Sequence, residues 1–303
     1  MIPDTARLRT FAALLTALSG AGQCAALWLL PTSKTLLLTA LLRQGRTEEA
    51  VARAESLAEQ SPQDATARTV AGAVFAATGR TAEARSEFEA VLQLKPGDAA
   101  THLNIARLDI REGDMTAASE QLQAALETDA DNLAATLGMA AVAQSKNDAA
   151  AAERWLTKAA QDHPDSAQAS LALVQFYLMG RDFGTAGAQA QGIVERAPDN
   201  AVAWNMLGLA RLGTGELAGA RDAFNSAVER SPRTLSYRLN LARVHALQRE
   251  PDEALRVIDE AIAEIPDGIS AVALGAGVAL QSGDTARAAE YIERMRKAAP
   301  NAA

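Results

Sequence analysis

Residues 203–232 read AWNMLGLARLGTGELAGARDAFNSAVERSP. The stretch sets Trp204, the pair Leu207-Gly208, Ala220, Phe224 and Pro232 at uneven intervals. No helix or strand period accounts for them. The intervals make sense once the rest of the chain is laid alongside. Pro62, Pro96, Pro164, Pro198, Pro232, Pro266 and Pro300 are separated by 34, 68, 34, 34, 34 and 34 residues, and the skipped slot holds Ala130. A fixed period of this size is the mark of a repeat architecture.

The same register recurs at other positions. Twelve residues before each slot stand Ala50, Ala84, Ala118, Ala152, Ala186, Ala220, Ala254 and Ala288. Seventeen before stand Gly45, Gly79, Gly113, Asn147, Arg181, Gly215, Arg249 and Gly283. Six of these eight are Gly or Asn, which tolerate the left-handed conformation that ends a helix. Each unit therefore reads as helix, turn, helix, Pro-marked turn. Proline lacks the N–H that a continuing helix needs, so it closes the second helix. The constant Ala predicts a tight crossing of the two helices, where a larger side chain would separate the axes. Twenty-four residues before each slot the residue is again mostly small (Gly72, Ala106, Ala140, Gly208, Ala242, Ala276), with Leu38 and Val174 as exceptions.

Composition agrees with an all-α chain. Of the 303 residues 49% are hydrophobic but only 4% aromatic, so Ala and aliphatic residues dominate. Ala is the best helix former, and alternating β-branched or aromatic runs, the strand signature, are missing. The formal charge of −8 argues against a nucleic-acid surface. The single cysteine, Cys24, excludes an internal disulfide and a cysteine-based metal site.

Trp204-x-x-Leu207-Gly208, Ala220-x-x-x-Phe224 and Pro232 resemble the tetratricopeptide (TPR) repeat, with Arg211 replacing one consensus aromatic. The resemblance implies a right-handed superhelical α-solenoid of eight units: 31–64, 65–98, 99–132, 133–166, 167–200, 201–234, 235–268 and 269–302. It also implies a protein or peptide partner, held on an extended concave face built by the first helix of each unit. The expected concave positions are the second, fifth, ninth, twelfth and thirteenth of a unit. They give Leu103, Arg107 and Arg111, then Gln168, Gln175 and Met179, then Asn205 and Leu209, and finally Leu239 and Arg243. The three arginines would meet acidic groups of the partner, or stand solvated on a helix surface. Asn104 and Asn240, at the sixth position, match the family's packing asparagine. The charge clamp of chaperone-binding TPR domains is not recognisable.

Motifs for chemistry are missing. His102, His163 and His245 stand far apart, with no His-x-x-x-His or Glu-x-x-His pair, so neither metal nor cofactor is expected. GTGELAG at 213–219 lacks the Gly-Lys-Ser/Thr ending of a phosphate loop and follows a helix. No Gly-x-Ser-x-Gly occurs. An enzyme would need a catalytic domain for which the array leaves no room.

Residues 1–30 lie outside the register. Arg7 and Arg9 precede the uncharged stretch Phe11–Leu30, which is long enough to span a membrane. Three readings stand: a signal peptide cut near Ser19-Gly20-Ala21, an uncleaved signal anchor, or a helix capping the first repeat. Gln23 before Cys24, and the apolar residues after it, fit a lipid attachment site poorly. At the other end Arg296 and Lys297 replace the apolar residue that earlier second helices present to the next unit. A polar outer face is expected of a terminal repeat, with Tyr291 and Met295 leaving a small apolar patch. Two functions follow: an interaction scaffold of the bacterial envelope (secretion, pilus or exopolysaccharide export), or a cytoplasmic adaptor. The uninterrupted Ala-rich array is similar to TPR proteins of exopolysaccharide and PEP-CTERM systems.

Overall fold

The computed structural model describes residues 31–266 and 268–298. The readings made for residues 1–30, and the Pro300 slot, lie outside the described residues. Sixteen α-helices and no strand occur among those described. The chain divides into two compact units after Asp148, within the fourth repeat. The first unit carries α1 (Pro31–Arg43), α2 (Thr47–Gln60), α3 (Ala65–Ala77), α4 (Thr81–Leu94), α5 (Ala99–Glu112), α6 (Met115–Thr128) and α7 (Leu133–Ser145). The second carries α8 (Ala149–Asp162), α9 (Ala167–Met179), α10 (Phe183–Arg196), α11 (Ala201–Thr214), α12 (Leu217–Arg230), α13 (Leu235–Leu247), α14 (Pro251–Glu264), α15 (Ile269–Ser282) and α16 (Thr285–Ala298). Within each unit consecutive helices pack side by side. Odd-numbered helices open the repeats and even-numbered ones close them.

Short polar residues cap five of the odd helices, α3, α5, α7, α9 and α11, at the same 34-residue spacing. Asp64 accepts from the Thr66 and Ala67 amides, Asp98 from Thr101, Asn132 from Ala135, Ser166 from Ala169 and Asn200 from Ala203. Each such cap satisfies amide donors that the helix leaves open, and contributes about 1 kcal/mol. The turn between paired helices is left-handed in all eight repeats. Gly45, Gly79, Gly113, Gly215 and Gly283 have φ between 72° and 86°. Asn147, Arg181 and Arg249 adopt it too, at φ 57°, 59° and 63°. Register therefore outweighs residue type: the two arginines take a conformation that costs a residue with a Cβ about 1–2 kcal/mol.

The constant alanines are the centre of the packing. Seven of the eight are fully buried, and Ala288 is 1% exposed. The size alternation at the helix crossing also has a physical cause. A Cβ on Gly72 would lie 2.6 Å from the Phe88 ring, and one on Gly208 would lie 2.5 Å from the Phe224 ring. Position 8 of the repeat thus faces position 24, and the two share one volume. Where position 8 is large, at Leu38 and Val174, position 24 is Ala54 or Ala190, and all four are buried. The two apparent exceptions keep the total nearly constant, as close packing requires.

The tryptophan that opens the motif works through its N–H. Trp204 Nε1 donates to the Pro198 carbonyl at 2.7 Å, and the Arg230 guanidinium lies 5.1 Å from the ring centre. Three other repeats place a different donor at the same position. Arg68 Nε donates to Pro62 O at 2.6 Å, Arg238 Nε to Pro232 O at 2.8 Å, and His102 Nε2 pairs with Pro96 O at 3.1 Å. The proline that ends one repeat supplies the acceptor, and the first helix of the next supplies the donor.

At the C-terminal end Arg296 and Lys297 are exposed, as expected. Tyr291 is not part of an apolar patch: it is 3% exposed, and its hydroxyl donates to Asp259 Oδ1 at 2.5 Å. Burial, then the Asp259 hydrogen bond, pushes its pKa well above the ordinary tyrosine value, so it stays a donor. Ile292 is the exposed apolar residue there.

Candidate partner-binding surface

The residues expected to face a partner fall into three groups. Leu103 and Leu239, at the fifth position, are 8% and 7% exposed. They are packing residues and offer a ligand almost no area. The helix face at that position turns toward the core, which a periodicity count alone does not reveal. Gln168, Gln175 and Met179 are exposed, Met179 at 72%. Asn205 and Leu209 are half-buried.

The arginines differ from one another. Arg107 and Arg243 are exposed, and each donates to the asparagine three residues before it: Arg107 Nη1 to Asn104 Oδ1 and Arg243 Nη1 to Asn240 Oδ1, both at 3.1 Å. Arg111 reaches back across a junction between repeats. Its Nη1 donates to Ala76 O at 2.8 Å and its Nη2 to Thr81 Oγ1 at 3.2 Å. It ties α5 to the last turn of α3 and the start of α4, so it is a structural cation first.

In the second unit a chain of hydrogen bonds links two neighbouring first helices. Asn240 on α13 donates through Nδ2 to Asn205 Oδ1 on α11 at 2.9 Å, and Asn240 Oδ1 accepts from Arg243. Asn240 is 8% exposed. The network fixes the amides and leaves the Arg243 guanidinium with further N–H groups to offer. Leu209 lies one turn beyond Asn205 on α11. An apolar contact and a row of oriented polar groups therefore sit on adjacent helices.

Another pattern, invisible from spacing alone, occupies the junctions between repeats. The eleventh residue of a repeat meets the second helix of the preceding one. Asp109, 1% exposed, accepts from Arg85 Nη2 at 2.6 Å, and Arg85 Nη2 also reaches Glu112 at 2.7 Å. The hydrogen bond to Asp109, against an opposing burial penalty, raises the Arg85 pKa. Tyr177 donates to Glu153 Oε1 at 2.8 Å. These polar pairs vary from junction to junction, so no motif exposes them.

Two histidines are likewise engaged. His102 Nδ1 pairs with Gln121 Oε1 at 2.7 Å, and His245 Nδ1 with Glu250 Oε2 at 2.7 Å. Among the described residues no group of three His, Cys, Asp or Glu is placed to hold a metal ion. No helix among them is long and apolar enough to cross a membrane.

Sequence families of tetratricopeptide repeats match residues 35–99 and 136–201, and a second such family matches 75–142. The family described as the cytochrome c-type biogenesis protein H TPR domain matches residues 193–303. No curated protein matches the sequence. Among solved structures, PilW, described as a widely conserved type IV pilus biogenesis factor, is similar with a TM-score of 0.57 at 19% identity, over 67% of this chain and 94% of its own. A tetratricopeptide repeat protein from Parabacteroides merdae gives 0.57 at 16% identity, over 82% and 94%. MamA from Desulfovibrio magneticus gives 0.50 at 21%, over 57% and 98%. At these identities the likeness is one of fold.

Proposed function

The chain belongs to the tetratricopeptide repeat proteins, and on that premise we propose a non-catalytic scaffold that holds an extended segment of a partner protein along its first helices. The observation that carries this reading is the Asn205–Asn240–Arg243 network beside Leu209. The half-buried Asn205 amide, held in place by the buried Asn240, can pair with a partner's backbone, which any sequence presents, and Arg243 adds a preference for acidic side chains. Arg107 with Asn104 repeats the same Arg–Asn pair in the first unit. Arg111 is left out of the binding set because its donors serve the fold.

We further place the scaffold in a bacterial envelope assembly. The match of residues 193–303 to a cytochrome c-type biogenesis TPR domain supports this, as do the arginines and uncharged stretch within residues 1–30. Fractionation of the native protein tests the location, and recovery in the soluble cytoplasmic fraction would make it a cytoplasmic adaptor instead.

The binding reading is tested by a photo-crosslinking residue at position 209 in the native host. A discrete adduct is expected, and its yield should fall about tenfold in Asn205→Ala/Arg243→Ala, equivalent to ~1.4 kcal/mol of binding. An adduct of undiminished yield in that variant refutes the role given to the network.

A further inference from the structure

Arg211 stands where the repeat pattern has an aromatic, and glycines gather around it. We propose that the cleft between α10 and α11 in front of Arg211 is a docking slot for an aspartate or glutamate side chain of a partner protein. The proposal rests on the scaffold reading only for its assumption that the carboxylate arrives on another protein.

The argument starts from the junctions. At the junction of α4 and α5, the second helix supplies Arg85 and the eleventh residue of the next repeat supplies Asp109. At α8 and α9 the corresponding pair is Glu153 and Tyr177. At α10 and α11 the eleventh residue is Arg211, but the place of Arg85 and Glu153 is taken by Gly187. Arg211 therefore meets no charged side chain from that position, and its partner on α10 is the neutral Gln191. A cleft of about 260 Å³ occupies the place, lined by Gly184, Gly187, Ala188, Gln191, Arg211 and Thr214 among others.

The half-buried guanidinium is only partly satisfied. Nη1 donates to the Gly219 carbonyl at 3.2 Å and Nη2 to Gln191 Oε1 at 3.1 Å. Both acceptors are neutral, and neither distance is that of a strong charge-assisted bond. Among the described residues no carboxylate forms an ion pair with it. Glu216 lines the rim, where it accepts from the Thr214 hydroxyl at 2.9 Å.

The surrounding glycines have separate packing reasons that keep this geometry. A Cβ on Gly213 would lie 2.3 Å from the Phe183 ring, so glycine there lets Phe183 close one side of the cleft. A Cβ on Gly219 would lie 3.0 Å from Arg211 Cδ, so glycine there lets the arginine reach the carbonyl. Gly184 has only Asp182 Oδ1 near its missing Cβ, at 3.8 Å, and its side of the cleft stays open. The run GTGELAG is thus accounted for by the turn at Gly215 and by the walls of this slot. A carboxylate entering it would replace weak neutral acceptors with a charged one, which guanidinium geometry favours.

The test uses the full chain and small probes. N-acetyl-glutamate N-methylamide and its glutamine counterpart are titrated into ¹⁵N-labelled protein, following the Arg211 Nε–Hε signal and the Gly184, Gly187 and Gly213 amides. Saturable shifts are expected with the glutamate probe, at least tenfold weaker with the glutamine probe. They should be lost in Arg211→Gln and blocked in Gly184→Leu, whose added side chain enters open space. Equal shifts with both probes, or binding that survives either variant, overturns the slot and leaves Arg211 a space-filling cation. If Arg211→Gln does not fold, Gly184→Leu alone decides. Because the signals followed belong to Arg211, Gly184, Gly187 and Gly213, and not to Asn205, Arg243 or Leu209, failure here is distinct from failure of the crosslinking experiment.

Discussion

Gly208→Ala tests the shared volume at the crossing of α11 and α12. The added Cβ would sit 2.5, 2.6 and 2.9 Å from Cε1, Cδ1 and Cζ of Phe224. Ordinary carbon–carbon contacts begin at about 3.5 Å, so the ring must retreat by roughly 1 Å. Phe224 is fully buried, so the shift falls on packed neighbours. Overpacking of this kind costs about 1–3 kcal/mol, and Ala in place of Gly in a helix returns about 1 kcal/mol. Three ring atoms within 2.9 Å place the clash in the upper part of that range, so the expected net loss is ~1–2 kcal/mol. Phe224→Leu alone leaves a small void and costs about 1–2 kcal/mol. Together the two substitutions recreate the Ala106/Leu122 combination of the third repeat. The double variant should be more stable than either single one, with a coupling of about 2–3 kcal/mol. Thermal melts by circular dichroism of all four proteins measure this. Single variants should melt ~2–6 °C below wild type, and the double variant close to it. A Gly208→Ala protein that melts at or above wild type would show slack at the crossing and refute the argument.

Arg249→Gly relieves a left-handed residue at φ 63° and should raise stability by about 1 kcal/mol, read as a higher melting temperature; an unchanged or lower one contradicts the strain. Arg85→Ala strands the Asp109 carboxylate, only 2% exposed in its side chain, and should cost ~2–4 kcal/mol, below the figure for a fully buried pair because Arg85 is itself partly exposed; a urea titration showing less than 1 kcal/mol rejects the pair as a stabilising contact. Arg111→Ala breaks the bond to Ala76 O and should lower stability by about 1 kcal/mol, whereas a purely partner-facing arginine would leave the melt unchanged.

Much of the fold is legible in the residues because each repeat must solve the same local problem. The constant alanine and the left-handed turn are required at every helix pair, so a single chain displays them eight times at one spacing, and the closing proline fills seven of the eight slots. Even the position filled by Leu38 and Val174 follows the register once its partner in the second helix is known. The candidate surface is less legible. Leu103 and Leu239 share a helix face with Arg107 and Arg243, yet lie buried, because the edge of the neighbouring helix, and not the period, sets where the core ends.

Contacts between repeats were decided by tertiary structure alone. Arg85 with Asp109, Asn205 with Asn240 and Arg111 with Ala76 join residues 24 to 35 positions apart. Each pair satisfies one junction and need not recur at the next, so it leaves no periodic trace. The sequence by itself determined the helices, their turns and their order, since these depend on neighbours along the chain. Which arginines belong to the fold, and where Gly187 leaves Arg211 without a charged counterpart, depend on side chains meeting across helices, and only the packed structure brings them together.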